Sequence, residues 1–127
     1  MNKPLIDCSK VTVLNTGTTK GIGAYASKDI KKGELVEYGI MRRVDTDGNQ
    51  NPYLFTWSDD RSVWAYASGC ATFYNTSKSP NVKMDRFFDE DRFTITALQD
   101  INKGDELMHT YRSLEWRQCF QELNKIL

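Results

Sequence analysis

The 127-residue sequence predicts a mainly β protein with one amphipathic helix at its C-terminal end. Three observations predict it. Short β-branched or alternating runs are separated by turns rich in Gly, Asn, Asp and Pro. A stretch with a Lys-Gly turn, Ala26 to Gly33, returns as Ala97 to Gly104, and an acidic residue and a Leu follow each copy. Only the last dozen or so residues place their apolar side chains at helical spacing.

The elements follow in order. Val11-Thr12-Val13-Leu14 is β-branched and reads as a strand, and the Gly/Thr/Asn-rich run Asn15 to Gly23 reads as a loop. Ala24-Tyr25-Ala26 resumes extended structure. Asp29 to Gly33 is a turn, because Gly33 can take the positive φ of a tight reversal. Glu34 to Tyr38 alternates as the next strand, and Asp45 to Pro52 is a polar loop. Tyr53 to Trp57 is aromatic and half-buried. Val63 to Thr72 fits either a short helix or a snug coil. Val82 to Phe88 and Arg92 to Leu98 read as strands joined at Asp89-Glu90-Asp91, with Phe93, Ile95 and Ala97 on one face. Leu107, His109 and Tyr111 alternate on a further strand. Leu114, Trp116, Phe120, Leu123 and Leu127 predict an amphipathic helix from Leu114 to Ile126, with Ser113 as its N-cap.

Composition narrows the function classes. Hydrophobic residues at 39% and charged residues at 27% predict one soluble globular domain over residues 1–127. Lys+Arg and Asp+Glu number 17 each, so no net field draws the chain to nucleic acid or an anionic membrane. No stretch approaches the ~20 apolar residues of a membrane helix, and Met1 to Ser9 lacks the apolar core of a signal peptide. The expected setting is intracellular. Cys8, Cys70 and Cys119 are odd in number and far apart, and predict reduced thiols, with no zinc pair and no disulfide set. Asn75-Thr76-Ser77 matches a glycosylation acceptor, which carries no weight without a secretory signal.

Three segments are candidates for chemistry. Gly21-Ile22-Gly23-Ala24-Tyr25-Ala26 fits a dinucleotide-binding spacing, but that fingerprint needs a helix starting inside it, and a turn follows instead. The glycines still let a ligand approach the backbone, or simply make a turn. Tyr74 to Asn81 is dense in Asn and Ser, which satisfy backbone groups where no ladder can, and Pro80 interrupts regular structure. It fits a crossing near the core or a surface loop. Glu106 to Tyr111 ends a strand on a tyrosine, a core residue if taken alone. His109 is the only histidine, and no acid or cysteine partner stands at a useful spacing for a metal site or triad.

Taken in order, these segments resemble the SET-domain family of protein lysine methyltransferases. Gly21-Ile22-Gly23, Ala26, Asp29-Ile30-Lys31-Lys32-Gly33-Glu34 and Glu37-Tyr38 match its opening. Phe73-Tyr74-Asn75-Thr76-Ser77-Lys78-Ser79-Pro80-Asn81 matches its aromatic-Asn-His-Ser…Pro-Asn motif. Gly104-Asp105-Glu106-Leu107, then Tyr111, match its close. The match covers about residues 17 to 112.

The resemblance implies a β-clip-like fold of small sheets with a knot-like crossing. It implies transfer of a methyl group from S-adenosyl-L-methionine to a lysine of a histone-like or other protein, with Tyr111 as the catalytic tyrosine. Lys20, Gly21, Ile22, Gly23, Tyr74, Asn75 and Thr76 would contact the donor. Tyr38, Tyr53 and Met84 would line the lysine channel. No metal, nucleic acid or membrane partner is implied, and the C-terminal helix could support a homodimer. The sequence departs from the family in three ways. Thr76 replaces the motif's histidine, Met84 stands where relatives often carry an aromatic, and the Cys-rich zinc segments that flank many members are missing, as in a minimal, stand-alone member. Thr76 and Met84 also fit a non-catalytic binding module on the same scaffold, and a β-clip-type structural domain would use Tyr111 only as core.

Overall fold

The alternating and β-branched runs pair into two sheets in the computed structural model, which describes residues 3–17, 21–111 and 116–126. In chain order the strands are β1 (Val11–Asn15), β2 (Ile22–Ala26), β3 (Leu35–Val44), β4 (Phe55–Thr56), β5 (Trp64–Ala67), β6 (Asn75–Thr76), β7 (Val82–Phe87), β8 (Arg92–Ala97) and β9 (Glu106–His109), followed by a short helix, α1 (Gln121–Ile126). One sheet runs β1-β2-β9-β6, antiparallel except for the parallel pair β6–β9. The other runs β4-β5-β3-β8-β7, antiparallel throughout.

The repeat seen in the sequence is paired with itself. Ile30 and Ile101 exchange both backbone hydrogen bonds, each at 2.8 Å. The Lys32 N–H donates to Asp100 Oδ1 at 2.9 Å, and the Lys103 N–H donates to Asp29 Oδ1 at 2.8 Å. Ala26 meets the Gly104–Asp105 turn through two bonds, as Ala97 meets the Gly33–Glu34 turn. Gly33 (φ 88°) and Gly104 (φ 93°) adopt the left-handed conformation that such a turn requires. The two copies therefore form a local pseudo-two-fold pair, with Ile30 and Ile101 almost fully buried at its centre. This pair joins the start of one sheet to the end of the other.

Three elements differ from the sequence reading. β3 continues past Tyr38 to Val44 because Gly39 lets Ser68 and the Phe93 ring approach its backbone, where a Cβ would lie 2.3 Å from Ser68 Oγ. Residues 63 to 72 are neither helix nor plain coil. Trp64–Ala67 is extended because it pairs with both β3 and β4, and a 3-10 turn, Ala71–Phe73, follows. The C-terminal helix is present but shorter than the spacing implied. Trp116 and Arg117 are not helical, a 3-10 turn covers Gln118–Phe120, and α1 begins at Gln121. Ser113 and Leu114 lie outside the described residues. The cause is tertiary. The buried Arg117 donates to the carbonyls of Gly48 and Asn51 and stacks over Trp64 and Phe120, at 4.9 and 4.7 Å from the ring centroids. That anchor coincides with the non-helical backbone at Trp116 and Arg117.

Cys8, Cys70 and Cys119 are free thiols, as expected, and the fold brings Cys8 and Cys70 together beside Glu37 although they lie far apart in sequence.

The core holds Trp57, Tyr74, Phe93, Ile95, Ile101 and Leu107, and Phe93, Ile95 and Ala97 share one face as the alternation predicts. His109 is buried in the same region, with its ring centroid 6.1 Å from that of Tyr74 and 5.2 Å from that of Tyr111, both edge-on. Burial, and secondarily Arg86, pushes its pKa down to about 3, so it is neutral in the fold. The unfolded chain binds a proton at His109 below its ordinary value of 6.5. Stability from this group is therefore complete above that value and is lost as pH falls toward 3. We predict that the wild type loses roughly 2 kcal/mol of stability between pH 7 and pH 5 that a His109→Phe variant does not lose. Urea unfolding of both proteins at the two pH values measures the difference, and parallel losses would exclude His109 as the source.

Candidate active site

β9 delivers the site, and the segment that contains β6 holds it in place. The Asn81 side chain brackets β9, accepting from the Met108 N–H (2.9 Å) and donating to the Glu106 carbonyl (2.8 Å). The Asn81 N–H also donates to the Met108 carbonyl at 3.1 Å. Further along, the Ser77 N–H donates to the His109 carbonyl, and the Thr110 hydroxyl returns a bond to the Ser77 carbonyl. The Asn/Ser-rich stretch is thus a crossing rather than a free surface loop. Its polar side chains replace the ladder that two residues of β6 cannot supply.

Tyr111 emerges from this crossing with both ends fixed. Its N–H donates to Thr76 Oγ1 at 3.0 Å, and its hydroxyl donates to the Tyr74 carbonyl at 2.8 Å. Thr76 is buried, and its hydroxyl does positional work here. The Tyr74 hydroxyl donates to the buried Glu37 at 2.9 Å, and Glu37 also accepts the Cys70 N–H at 2.8 Å. Burial pushes the Glu37 carboxyl up, opposed by those two bonds. Burial, then Glu37, pushes the Tyr74 phenol well above its usual range. Burial, then the Glu106 carboxylate, pushes Tyr111 up to about 12. Tyr111 is therefore a neutral hydroxyl at physiological pH, unsuited to act as a phenolate base. Its proton is committed to the Tyr74 carbonyl, and its oxygen lone pairs can accept.

Asn75 joins the crossing to the Gly21-Ile22-Gly23 segment. Its amide nitrogen donates to the Ile22 carbonyl (3.2 Å) and to Glu106 Oε2 (2.8 Å), which leaves the amide oxygen as an acceptor. A Cβ at Gly23 would lie 2.8 Å from Glu106 Oε2 and 3.1 Å from Asn75 Nδ2, so only glycine lets β2 approach this pair. Gly21, at φ 67°, turns the chain into β2.

Two cavities meet at Tyr111. A cleft of about 320 Å³ is lined by Ile22, Tyr53, Phe73, Asn75, Tyr111 and Phe120. An inner pocket of only about 20 Å³, room for little more than a water molecule, is lined by Tyr74, His109, Tyr111, Phe120, Arg86 and Arg117, among others. The cleft combines the Asn75 amide with aromatic walls, a setting for a molecule with polar and apolar parts. The inner pocket mixes aromatic rings with Arg86, Arg117 and His109, and has to widen to admit a side chain.

The structure gathers Ile22, Gly23, Tyr74, Asn75, Thr76 and Tyr111 around this junction, while Gly21 stands one residue before β2 with open space where a Cβ would lie. Lys20 lies outside the described residues. The three channel candidates are not gathered. Tyr53 is 61% exposed and lies on the cleft side. Tyr38 pairs with Thr94 on the face of β3 opposite Glu37. Met84 pairs with Ile95 and lines a separate hollow with Pro80 and His109. Sequence reasoning missed Glu106, Glu37 and Phe120 as participants and discounted His109. Glu106 and Glu37 sat inside recognised turns and strands, but nothing in the spacing showed that they accept from Asn75 and Tyr74.

Comparison with known proteins agrees with this geometry. The model of the SET domain family matches residues 21–112. Histone-lysine N-methyltransferase trr of Drosophila melanogaster is 33% identical over 110 residues, covering 73% of this chain and 4% of the relative. Histone-lysine N-methyltransferase EZH2 of Chaetomium thermophilum is 30% identical over 111 residues, covering 72% of this chain and 7% of the relative. The chain thus spans under a tenth of the length of these relatives. Among solved structures, the Chaetomium thermophilum Polycomb Repressive Complex 2, in an autoinhibited conformation bound to S-adenosylmethionine, superposes with a TM-score of 0.67 at 22% identity, covering 94% of this chain and 17% of that one. A crystallised Plasmodium falciparum protein superposes at 0.64 and 20% identity, covering 81% of this chain and 97% of that one. At these identities the structural likeness is one of fold. The family match spans the Gly-x-Gly segment, the crossing and Tyr111 together, and the chain belongs to the SET-domain family.

Proposed function

We propose that this chain transfers methyl groups from S-adenosyl-L-methionine to the side-chain amine of a lysine in a protein substrate. The observation that carries the reading is the position of Tyr111, on the wall shared by the cleft and the inner cavity, with its hydroxyl anchored on the Tyr74 carbonyl. Gly21, Ile22, Gly23, Tyr74, Asn75 and Thr76 would hold the donor from the cleft side, joined by Lys20. The lysine would enter the inner cavity past Leu54 and Thr56. Bound S-adenosyl-L-methionine supplies an activated methyl group and a positive charge next to it.

The residues of the chain do the rest by placement. A free lysine has a pKa of roughly 10.4, so its ammonium must lose a proton before the nitrogen can attack. Desolvation beside Tyr111, together with the positive charges of Arg86 and Arg117 on the pocket wall, disfavours the ammonium form and lowers that pKa. The Tyr111 oxygen, fixed by the bond to Tyr74, accepts from the amine and aligns it. Histone proteins are the substrates named for the relatives, and a histone-like tail is the first substrate class to test.

Three outcomes are expected. Tyr111→Phe should retain the fold and lower methyl transfer at least ten-fold, about 1.4 kcal/mol of barrier; unchanged turnover of labelled methyl groups would remove Tyr111 from the mechanism. Because Tyr111 ionises only near 12, the alkaline rise in kcat/KM should belong to the substrate amine. It should persist, at a lower level, in Tyr111→Phe, whereas its disappearance would make the phenol the base. Asn75→Ala should weaken donor binding in calorimetric titration while the melting temperature shifts only slightly; unaltered affinity would take Asn75 out of the donor pocket.

A further inference from the structure

Away from the Tyr111 junction, three metal-binding groups converge from three separate elements. Cys8, Glu37 and Cys70 each present one donor atom, and these atoms lie within 4.8 Å of one another. The convergence is built into the backbone. Asp7 and Tyr38 exchange two backbone hydrogen bonds, at 2.9 and 3.1 Å, which bring Cys8 alongside β3 next to Glu37. The Cys70 N–H donates to Glu37 Oε2, which fixes the third group. Gly69 makes the space. At φ 64°, a Cβ there would sit 2.4 Å from Glu37 Oε2 and 3.6 Å from Cys8 Sγ.

Glu37 is 1% exposed. Its hydrogen bonds come from a neutral N–H and a neutral hydroxyl, and the charge that acts on it is the negative Asp7. Among the described residues, no Lys or Arg forms an ion pair with it. Buried carboxylates are normally paired with a cation or bound to a metal. Cys8 and Cys70 are only half-buried, so an ion can reach the cluster from solvent.

We propose that Cys8, Glu37 and Cys70 form a site for one thiophilic divalent cation, of the Zn²⁺ or Cd²⁺ class, with solvent as the fourth ligand. Two thiolates and one carboxylate are a donor set such ions accept. Bond lengths of about 2.3 Å to sulfur and about 2.0–2.2 Å to oxygen need donor atoms closer together than 4.8 Å, a closure that small side-chain rotations achieve. On binding, each thiol releases its proton to solvent, and the ion takes the two sulfurs and one carboxylate oxygen. The role is structural. The ion clamps the segment before β1 to the turn that leads into Tyr74 and Asn75, and so braces the crossing from beneath. It does not depend on the methyl-transfer reading.

The test uses the full chain, stripped with a chelator and kept reduced with a phosphine, then titrated with Cd²⁺. We expect an ultraviolet thiolate-to-cadmium charge-transfer band that saturates at one ion per chain, together with a higher melting temperature. Cys119→Ser should leave the band intact and Cys8→Ser should remove it. Glu37→Gln should weaken binding about ten-fold in competition with a chelating dye. If Glu37→Gln does not fold, the Cys8→Ser titration decides alone. A titration without a thiolate band, or with a band that Cys8→Ser leaves unchanged, overturns the proposal.

Discussion

The bracket that Asn81 places on β9 is the interaction on which the rest of the site depends. β9 lies between β2, from the start of the chain, and the two-residue β6. A two-residue parallel partner leaves most of one edge unpaired, and unpaired buried backbone is costly. Asn81 donates and accepts in place of the missing ladder. Ser77 and Thr110 extend the same substitution toward the end of the strand. With β9 held on both sides, Tyr111 has one position open to it, and Asn75 is pressed against Gly23. A short side-chain network thus brings residues from the start, middle and end of the chain to one junction.

That junction is organised by neutrality more than by charge. His109 and Tyr74 are buried and Tyr111 is half-buried, and all three are held in their uncharged forms. None offers a proton-transfer partner near pH 7. A site of this kind works by excluding water and by fixing geometry, which suits a reaction whose electrophile arrives already activated. Thr76 fits the same logic. Where the family carries histidine, this chain keeps a hydroxyl that accepts the Tyr111 N–H, so the crossing is held without an aromatic ring at that position.

Much of the fold was legible in the residues. Alternation in Arg92–Ala97 marks a strand because one of its faces is buried, which enforces period-two patterning, whereas the run at Val11 is mostly exposed and is marked by its β-branched residues alone. The Asp-Ile-x-Lys-Gly repeat was visible, but its self-pairing was not, since nothing local shows which turn a carboxylate will cap. The Gly-x-Gly segment and the Asn-rich run stood out because they have unusual local chemistry, and Asn75 does meet Ile22 and Gly23 in the fold. Glu106, Glu37 and Phe120 were not, because their roles arise only from contacts distant in sequence. The helix limits were misread for the same reason. The apolar spacing from Leu114 onward is real, but Arg117 is spent on the Gly48 and Asn51 carbonyls, and that anchor outweighs helix propensity. Cys8 and Cys70 show the same limit, as sequence distance concealed their convergence on Glu37.

The central claim is that the cleft bounded by Ile22, Asn75 and Tyr111 binds the methyl donor. The most direct measurement is an amide-resolved NMR titration of the reduced, full chain with S-adenosyl-L-methionine. Saturable shifts concentrated at Ile22, Gly23, Asn75, Thr76 and Tyr111, with one ligand per chain, are the predicted result. An absence of shifts at millimolar donor, or shifts clustered away from the β6–β9 crossing, would contradict the account.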